Sequence, residues 1–519
     1  MAVPSMAGFV AFLPSRISSP MRDTHLNITT ELDTQARLRP DHPAIFYEGR
    51  QFTHGELAHL SRRSAQFFAE CGVRPADVVA LNFQNMLALA LAILGLTRLG
   101  STLLVIPRST TPSQRAEWTR LAQARVRVGD TAQAPGQEPP DIVFDTSRLA
   151  IAQTRPPPNP TPSMPWMVVL GSGSTGRRKL IPITHDQLRQ RIYGSASIIF
   201  DRSDRALILT SLEYPTTIIR LFDVLRQGAT LHLTVPNGQP VPAYCDQAGI
   251  TVLVATVFHV EQMLTKTSES ARLQMGRIRA LRVAGSTVTP NLRGRIRQHL
   301  TENLFVGYGT NECGSITRAG PPAVFAVEGT VGQAGRGVAL EIVDEQDRPM
   351  PPGAVGRIRV RTPGMVGAYL NDPVATRQAW RDGWFYPGDL GRLSTLGELI
   401  HCGRADQMMI FNGINMYPAE IEQCLTGHPD VTDAAAFAIP DPVHQDIPMC
   451  VVSLERGSRT TEAQLLAYAR ERLGFRSPQR VFAMVTIPRN EQGKPLRARI
   501  AELVVRRLSQ LRPPRLPSR

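Results

Sequence analysis

Apolar and polar positions follow two rhythms along the chain. From about residue 40 to 400, apolar runs of four to eight residues alternate with stretches of helical period, which predicts strands alternating with helices in a layered α/β domain. Thr53 and Glu56 form a T-x-x-E capping box, predicting a helix with Leu57, Leu60, Ala65 and Phe68 on one face and its end at Gly72. The runs VVALNF at 78–83 and TLLVIP at 102–107 flank a helical stretch at 86–99, a β-α-β unit. The longest uncharged apolar run, 86–96, has 11 residues, short of the ~20 that cross a membrane, so it reads as a buried core helix. A stiff proline-rich connector at 155–165 precedes a strand at 166–170, and similar units recur around 206–211, 229–235 and 251–257. Past residue 400 the texture changes to a smaller unit: a helix after Pro418, strands near 434–440 and 449–455, a helix at 462–473 and a last strand near 481–488.

Composition adds exclusions. With 42% hydrophobic and 20% charged residues among 519, the chain is neither disordered nor fibrous. Six cysteines form no CxxC pair and no cluster with histidines, which predicts a reduced, cytoplasmic protein without a cysteine metal site. The formal charge of +14 suggests a polyanionic partner at first sight. Five of the arginines, however, fall in a proline-containing tail at 506–519, and no aromatic-interleaved basic run occurs elsewhere. A solvated basic surface accounts for the excess, and nucleic acid is not the expected partner. A non-catalytic nucleic-acid-binding protein is therefore the distant reading. Of the 58 basic residues, only Lys179, Lys266 and Lys494 are lysines. Arginine replaces lysine wherever a planar fork serves as well as a compact ammonium, so the surviving lysines mark candidate chemistry.

One of them closes the segment GSGSTGRRK at 171–179, followed by a second capping box at Thr184 and Gln187. Glycines that turn backbone amides toward one point, with hydroxyls from Ser172, Ser174 and Thr175, suit a phosphate chain. The segment also suits a plain linker, and it is not a Walker A loop, because Arg177 and Arg178 stand where Lys-Ser/Thr must follow. Lys179 tilts the balance toward phosphate. His185 and His259 read as capping or packed histidines.

Three further segments, GYGTNE at 307–312, GWFYPGDLG at 383–391 and GRADQMMIFNGINMYPAEIE at 403–422, precede PRNEQGKPLR at 488–497. With the glycine-rich loop, these ordered motifs resemble the adenylate-forming superfamily: acyl-CoA synthetases, luciferases and the adenylation domains of peptide synthetases. The resemblance implies an α/β fold with a large multi-subdomain N-terminal domain and a small mobile C-terminal α+β domain. On that plan residues 1–20 are an extension, with Met21 as an alternative start. Residues 21–402 bind ATP and acid, 403–406 form a hinge centred on Asp406, 407–505 form the mobile domain, and 506–519 form a basic tail.

Carried over residue by residue, the resemblance implies that Ser172, Gly173, Ser174, Thr175, Gly176 and Lys179 hold the ATP phosphates. It implies that Gly285, Tyr308, Gly309 and Asn311 line the nucleotide site, with Tyr308 stacked on adenine, and that Glu312 binds Mg²⁺. Asp389 would accept both ribose hydroxyls, Arg404 would donate to ribose or phosphate, and Lys494 would be catalytic alongside Glu312. Arg178, Leu180, Asn311, Pro387, Gln445 and Asp446 depart from the usual motifs, and none of these departures removes a charged catalytic group. The implied reaction joins a carboxylic acid to ATP, releases pyrophosphate, and passes the acyl group to a thiol. CoA is the expected acceptor; a stand-alone acyl- or amino-acid-adenylating enzyme loading a carrier-protein phosphopantetheine is the alternative.

Amino-acid-activating relatives carry a Phe-Asp pair whose Phe stands 14 residues before the glycine of a Gly-Ala pair. Counting back from Gly228 gives Tyr214, then Pro215, Thr216 and Thr217, with no carboxylate to meet an ammonium. Phe222-Asp223 lies too close to Gly228 to serve. A buried ammonium without a counter-charge is costly, so a plain fatty or aryl acid is expected.

Overall fold

The computed structural model describes residues 27–130, 139–149, 158–171, 178–194, 200–265, 275–412, 414–490 and 493–510. Two mostly parallel sheets form the N-terminal half. The first runs in the order Leu304–Val306, Ala280–Ala284, Val252–Thr256, Arg205–Ile208, Thr230–His232, Pro43–Tyr47, Arg50–Thr53, parallel throughout except for the last strand. The second runs Ile142–Val143, Val126–Gly129, Val78–Leu81, Thr102–Val105, Pro165–Gly171, Lys179–Thr184, again with one antiparallel strand at its edge.

Helices between the two sheets share one core. Met86–Leu99 is buried along almost its whole length, begun by Asn85 accepting from the Ala88 amide and ended by Gly100 at φ 80°. It crosses the helix His54–Glu70 at Gly95, where a Cβ would lie 2.5 Å from Ser64 Cβ, so the crossing itself demands glycine. Trp166 locks the layers together: its indole donates to Thr97 Oγ1 at 3.0 Å, and its ring meets Phe222 edge-on at 5.7 Å. The capping boxes at Thr53 and Thr184 both form.

From residue 317 to 404 the structure departs from the expected α/β alternation. This stretch is an antiparallel sheet of eight strands that includes Gly356–Arg361, Asp389–Leu393 and Glu398–Arg404, with only two short helices, Ala323–Ala326 and Pro373–Ala379. Its strands are short and arginine-rich, so their two-residue alternation does not stand out from a polar background.

The small C-terminal domain has its own five-stranded sheet, built on the long hairpin Val431–Asp441 and Gln445–Leu454. Alternation along that hairpin sends Ala434 and Ala436 to one face, under the helices Pro418–Thr426 and Glu462–Leu473. It sends Ala435 and Phe437 to the other, under Arg497–Gln510. Arg506 and Arg507, expected in a loose tail, belong to this last helix, and Arg507 donates to Glu462 at 3.0 Å. The expected extension at 1–20 and the tail beyond residue 510 lie outside the described residues. Among the described residues no helix is long and apolar enough to cross a membrane.

His185 opens the helix after the Lys179 strand and is fully buried, with neither ring nitrogen hydrogen-bonded among the described residues. Burial holds its pKa down at about 4, against about 6.5 when unfolded. The folded state therefore refuses a proton that the unfolded chain accepts. Stability should fall as pH drops from about 6.5 to about 4 and level off below, with His185 contributing on the order of 3 kcal/mol over that window. His185→Leu should remove that share of the slope, read as the difference in denaturant midpoints between variant and parent at pH 7 and pH 5.

Candidate active site

The carboxyl ends of parallel strands are where backbone amides and loops converge. In the first sheet, Ala280–Ala284 leads into Gly285 (φ 100°), and Leu304–Val306 leads into Gly307 and Tyr308. The short hairpin of Gly309–Thr310 and Gly314–Ser315 follows, with Asn311 and Glu312 in its turn. It closes tightly because Gly309 has no side chain: a Cβ there would sit 2.4 Å from Gly314 O.

Asp389 faces this edge from the antiparallel sheet. Its strand pairs with Glu398–Arg404 so that Asp389 lies opposite Arg404. The Tyr308 hydroxyl donates to Asp389 Oδ2 at 2.5 Å, and Arg404 Nη1 approaches Oδ1 at 3.5 Å. Burial alone would raise the Asp389 pKa; His401, Tyr308 and Arg404 outweigh it and hold the carboxyl below the ordinary range. Burial and the neighbouring carboxylate push the Tyr308 phenol far the other way, which keeps it a donor. Arg404 divides its fork, donating to Asp406 at 2.8 and 3.0 Å, while Asp406 stands exposed on the short turn Ala405–Gln407.

The opposite wall comes from the second sheet. Lys179 begins the strand Lys179–Thr184, and its ammonium lies 4.6 Å from the centre of the Tyr369 ring. Ser172, Gly173, Ser174, Thr175 and Gly176 lie outside the described residues. Glu312 Oε1 accepts from the Tyr369 hydroxyl at 2.9 Å, and its backbone carbonyl accepts from the buried Arg191 at 2.8 Å. Arg191 also donates to Gly364 O at 2.9 Å, so it fastens the helix after the Lys179 strand to the turn that carries Glu312. With one carboxylate oxygen held and the other without a partner among the described residues, Glu312 suits a hard cation that completes its shell from phosphates and water.

Lys494 reaches this region on a turn of the small domain. Arg489 grips Asp433 with two nitrogens and donates to Gly493 O at 2.6 Å, and the Lys494 amide donates to Asn490 Oδ1 at 2.9 Å. The turn rests on the edge of the first sheet: a Cβ on Gly493 would lie 3.2 Å from Ser286 Oγ, next to Gly285. The Lys494 side chain is exposed.

A cavity of about 390 Å³ opens at the carboxyl ends of Arg205–Ile208 and Thr230–His232, lined by Thr210, Leu212, Thr217, Leu233 and Arg108 among others. Beside Tyr214, the buried Glu213 accepts from the Arg108 amide at 2.7 Å and from Ser211 Oγ at 3.1 Å, and Arg108 Nε lies 3.3 Å away. Asp223 is buried and paired with Arg226, in keeping with its exclusion as an ammonium ligand. His259 Nδ1 interacts with Thr256 Oγ1 at 2.9 Å, a capping arrangement.

Tyr369, Arg191 and His401 were not apparent from sequence. Each meets its partners only through tertiary pairing. The register shifts between Leu390 and Gly391, and this bulge brings His401 beside Asp389, at 3.8 Å. The Gly403 amide donates to His401 Nδ1 at 3.2 Å, which assigns the ring proton to Nε2, the atom that faces the carboxylate.

Comparison with known proteins shows the family. Residues 32–370 match the family model described as AMP-binding enzyme, and residues 420–510 match the AMP-binding enzyme C-terminal domain. The chain belongs to this adenylate-forming superfamily and is an AMP-forming acid–thiol ligase by class. It is 23% identical to an oxalate–CoA ligase of Arabidopsis thaliana, over 91% of this chain and 97% of that protein. It is 27% identical to a feruloyl-CoA synthase of an Amycolatopsis species, over 90% of this chain and 96% of that protein. In three dimensions it resembles ATP-bound MatB from Rhodopseudomonas palustris with a TM-score of 0.83, at 20% identity over 93% of this chain and 99% of that one.

Proposed function

We propose that the protein activates a plain fatty or aryl carboxylic acid with ATP and passes the acyl group to CoA. The observation that carries this reading is the convergence of Tyr308, Asp389 and Arg404 on one edge, with the Gly493–Lys494 turn seated against Ser286 beside Gly285.

A carboxylate is a poor acyl donor because oxide would have to leave. In the proposed reaction one carboxylate oxygen attacks the α-phosphorus in line, the bond to pyrophosphate breaks, and an acyl-adenylate forms. A thiol sulfur then attacks the acyl carbon, and AMP departs with that oxygen. Positioning and charge stabilisation carry such a transfer. Asp389, held ionised, offers two acceptor oxygens to the ribose hydroxyls, and Tyr308 offers its ring face to adenine. Lys179 and the loop at 172–176 hold the distal phosphates, with Gly285, Gly309 and Asn311 lining the nucleotide. Mg²⁺ held by Glu312 and the phosphates would neutralise charge on the triphosphate. Lys494 meets the negative charge that develops between carboxylate and α-phosphate.

The thiol must approach where Lys494 stood, so residues 407–505 turn about Asp406 between the two steps, after release of the Arg404–Asp406 pair. This division keeps 21–402 as the ATP- and acid-binding part.

The choice of a plain acid rests on Glu213 and Tyr214. The carboxylate next to Tyr214 in the chain, Glu213, is engaged by Arg108 and Ser211, so it does not offer a free counter-charge to an amino acid. The names of the CoA-forming relatives favour CoA as acceptor.

Pyrophosphate exchange with matched pairs, each a simple acid and its α-amino analogue, should favour the simple acid by roughly 10-fold or more. Amino acids winning every pair would overturn the substrate reading. Mass analysis of the same reactions with CoA present should show acyl-CoA; an acyl-AMP that transfers only to a carrier protein would identify the other acceptor.

Lys494→Ala should slow adenylate formation by about 10²-fold or more while sparing thiol transfer from supplied acyl-adenylate. Lys494→Arg should be nearly as damaging, because a planar fork does not replace a compact ammonium at a tight contact. Near-normal exchange in the arginine variant would contradict the assignment.

A further inference from the structure

Tyr369 belongs to none of the nucleotide-site positions discussed above, yet it touches two of them. Its ring carries the Lys179 ammonium at 4.6 Å, and its hydroxyl donates to Glu312 Oε1 at 2.9 Å. No ion pair joins Lys179 directly to Glu312 among the described residues.

The residue is fixed on every side. It is 6% exposed, its amide donates to Thr376 Oγ1 at 3.0 Å, and its ring meets Trp380 edge-on at 4.9 Å. The next residue, Leu370, donates its amide to Leu180 O at 2.8 Å, which ties this segment to the strand that begins with Lys179. Val366, on the same segment, donates its amide to the Glu312 carbonyl at 2.9 Å. The segment thus spans two parts of the chain, 57 residues apart at the Tyr369–Glu312 contact.

Building on the nucleotide reading above, we propose that Tyr369 is a positioning residue of the ATP site, keeping Lys179 and Glu312 apart so that each charge stays open to the triphosphate and its cation. An ammonium and a carboxylate brought to one place attract, and a direct pair would satisfy each at the expense of the ligand. The aromatic face receives the ammonium without neutralising it, because a ring quadrupole carries no net charge. The hydroxyl takes one carboxylate oxygen and leaves the other free.

The ring and the hydroxyl separate by substitution. Tyr369→Phe keeps the platform under Lys179 and frees Glu312; Tyr369→Leu removes both. ATP binding is measured by calorimetry in EDTA, and Mn²⁺ binding to the protein–ATP complex by the electron spin resonance of free Mn²⁺. Tyr369→Phe should leave metal-free ATP affinity within about twofold of the parent while weakening Mn²⁺ binding about 10-fold, the scale of one hydrogen bond to a charged group. Tyr369→Leu should weaken both about 10-fold or more. Unchanged Mn²⁺ binding in the phenylalanine variant, or equal losses of metal-free ATP and Mn²⁺ binding in it, would overturn the proposal. Failure of the parent protein to bind ATP with or without Mn²⁺ would instead overturn the nucleotide reading on which it rests.

Discussion

The site depends on one carboxylate, Asp389, that stays ionised and available although it is largely withdrawn from water. It is 7% exposed, and burial alone would favour its neutral form, yet Tyr308, His401 and Arg404 surround it with donors and positive charge and keep it an anion. Those partners come from two sheets: Tyr308 follows a parallel strand of the first, while His401 and Arg404 lie on the strand paired with that of Asp389. At Glu312, Tyr369 occupies one oxygen and Arg191 fixes the backbone. The fold brings separate elements to one edge, and the polar partners there keep acceptor oxygens presented to a ligand.

The small domain meets this edge through the turn of Gly493 and Lys494. The Arg489–Asp433 pair braces the turn from behind, and Gly493 lets it approach Ser286. A turn of this kind can dock and leave without exposing a core, because the domain has its own apolar clusters on both faces of its sheet. That independence suits the proposed rotation about Asp406.

Much of the fold was legible because local signals agreed with tertiary placement. The helix Met86–Leu99 has the limits its pattern predicts, set by Asn85 before it and Gly100 after it, and the helix Glu462–Leu473 matches in the same way. The antiparallel sheet at 317–404 was not legible, because short strands alternating with arginine look like polar surface. The strand expected near 229–235 shrinks to Thr230–His232, since pairing with its neighbours reaches no further. At the site, charged residues within ordered motifs were readable from order and spacing. Tyr369 and His401 were not: one is joined to Glu312 across 57 residues, and the other faces Asp389 beside a bulge. Glu213 lay one position outside the counted window, and only the structure shows it committed to Arg108 and Ser211.

The central claim is that a carboxylate oxygen attacks the α-phosphorus of ATP. Turnover of an acid labelled with ¹⁸O in both carboxylate oxygens, in the presence of CoA and ATP, tests it at the level of the bond formed. The account predicts AMP carrying one ¹⁸O atom and pyrophosphate carrying none. Unlabelled AMP alongside product, with the label in pyrophosphate or orthophosphate, would contradict it.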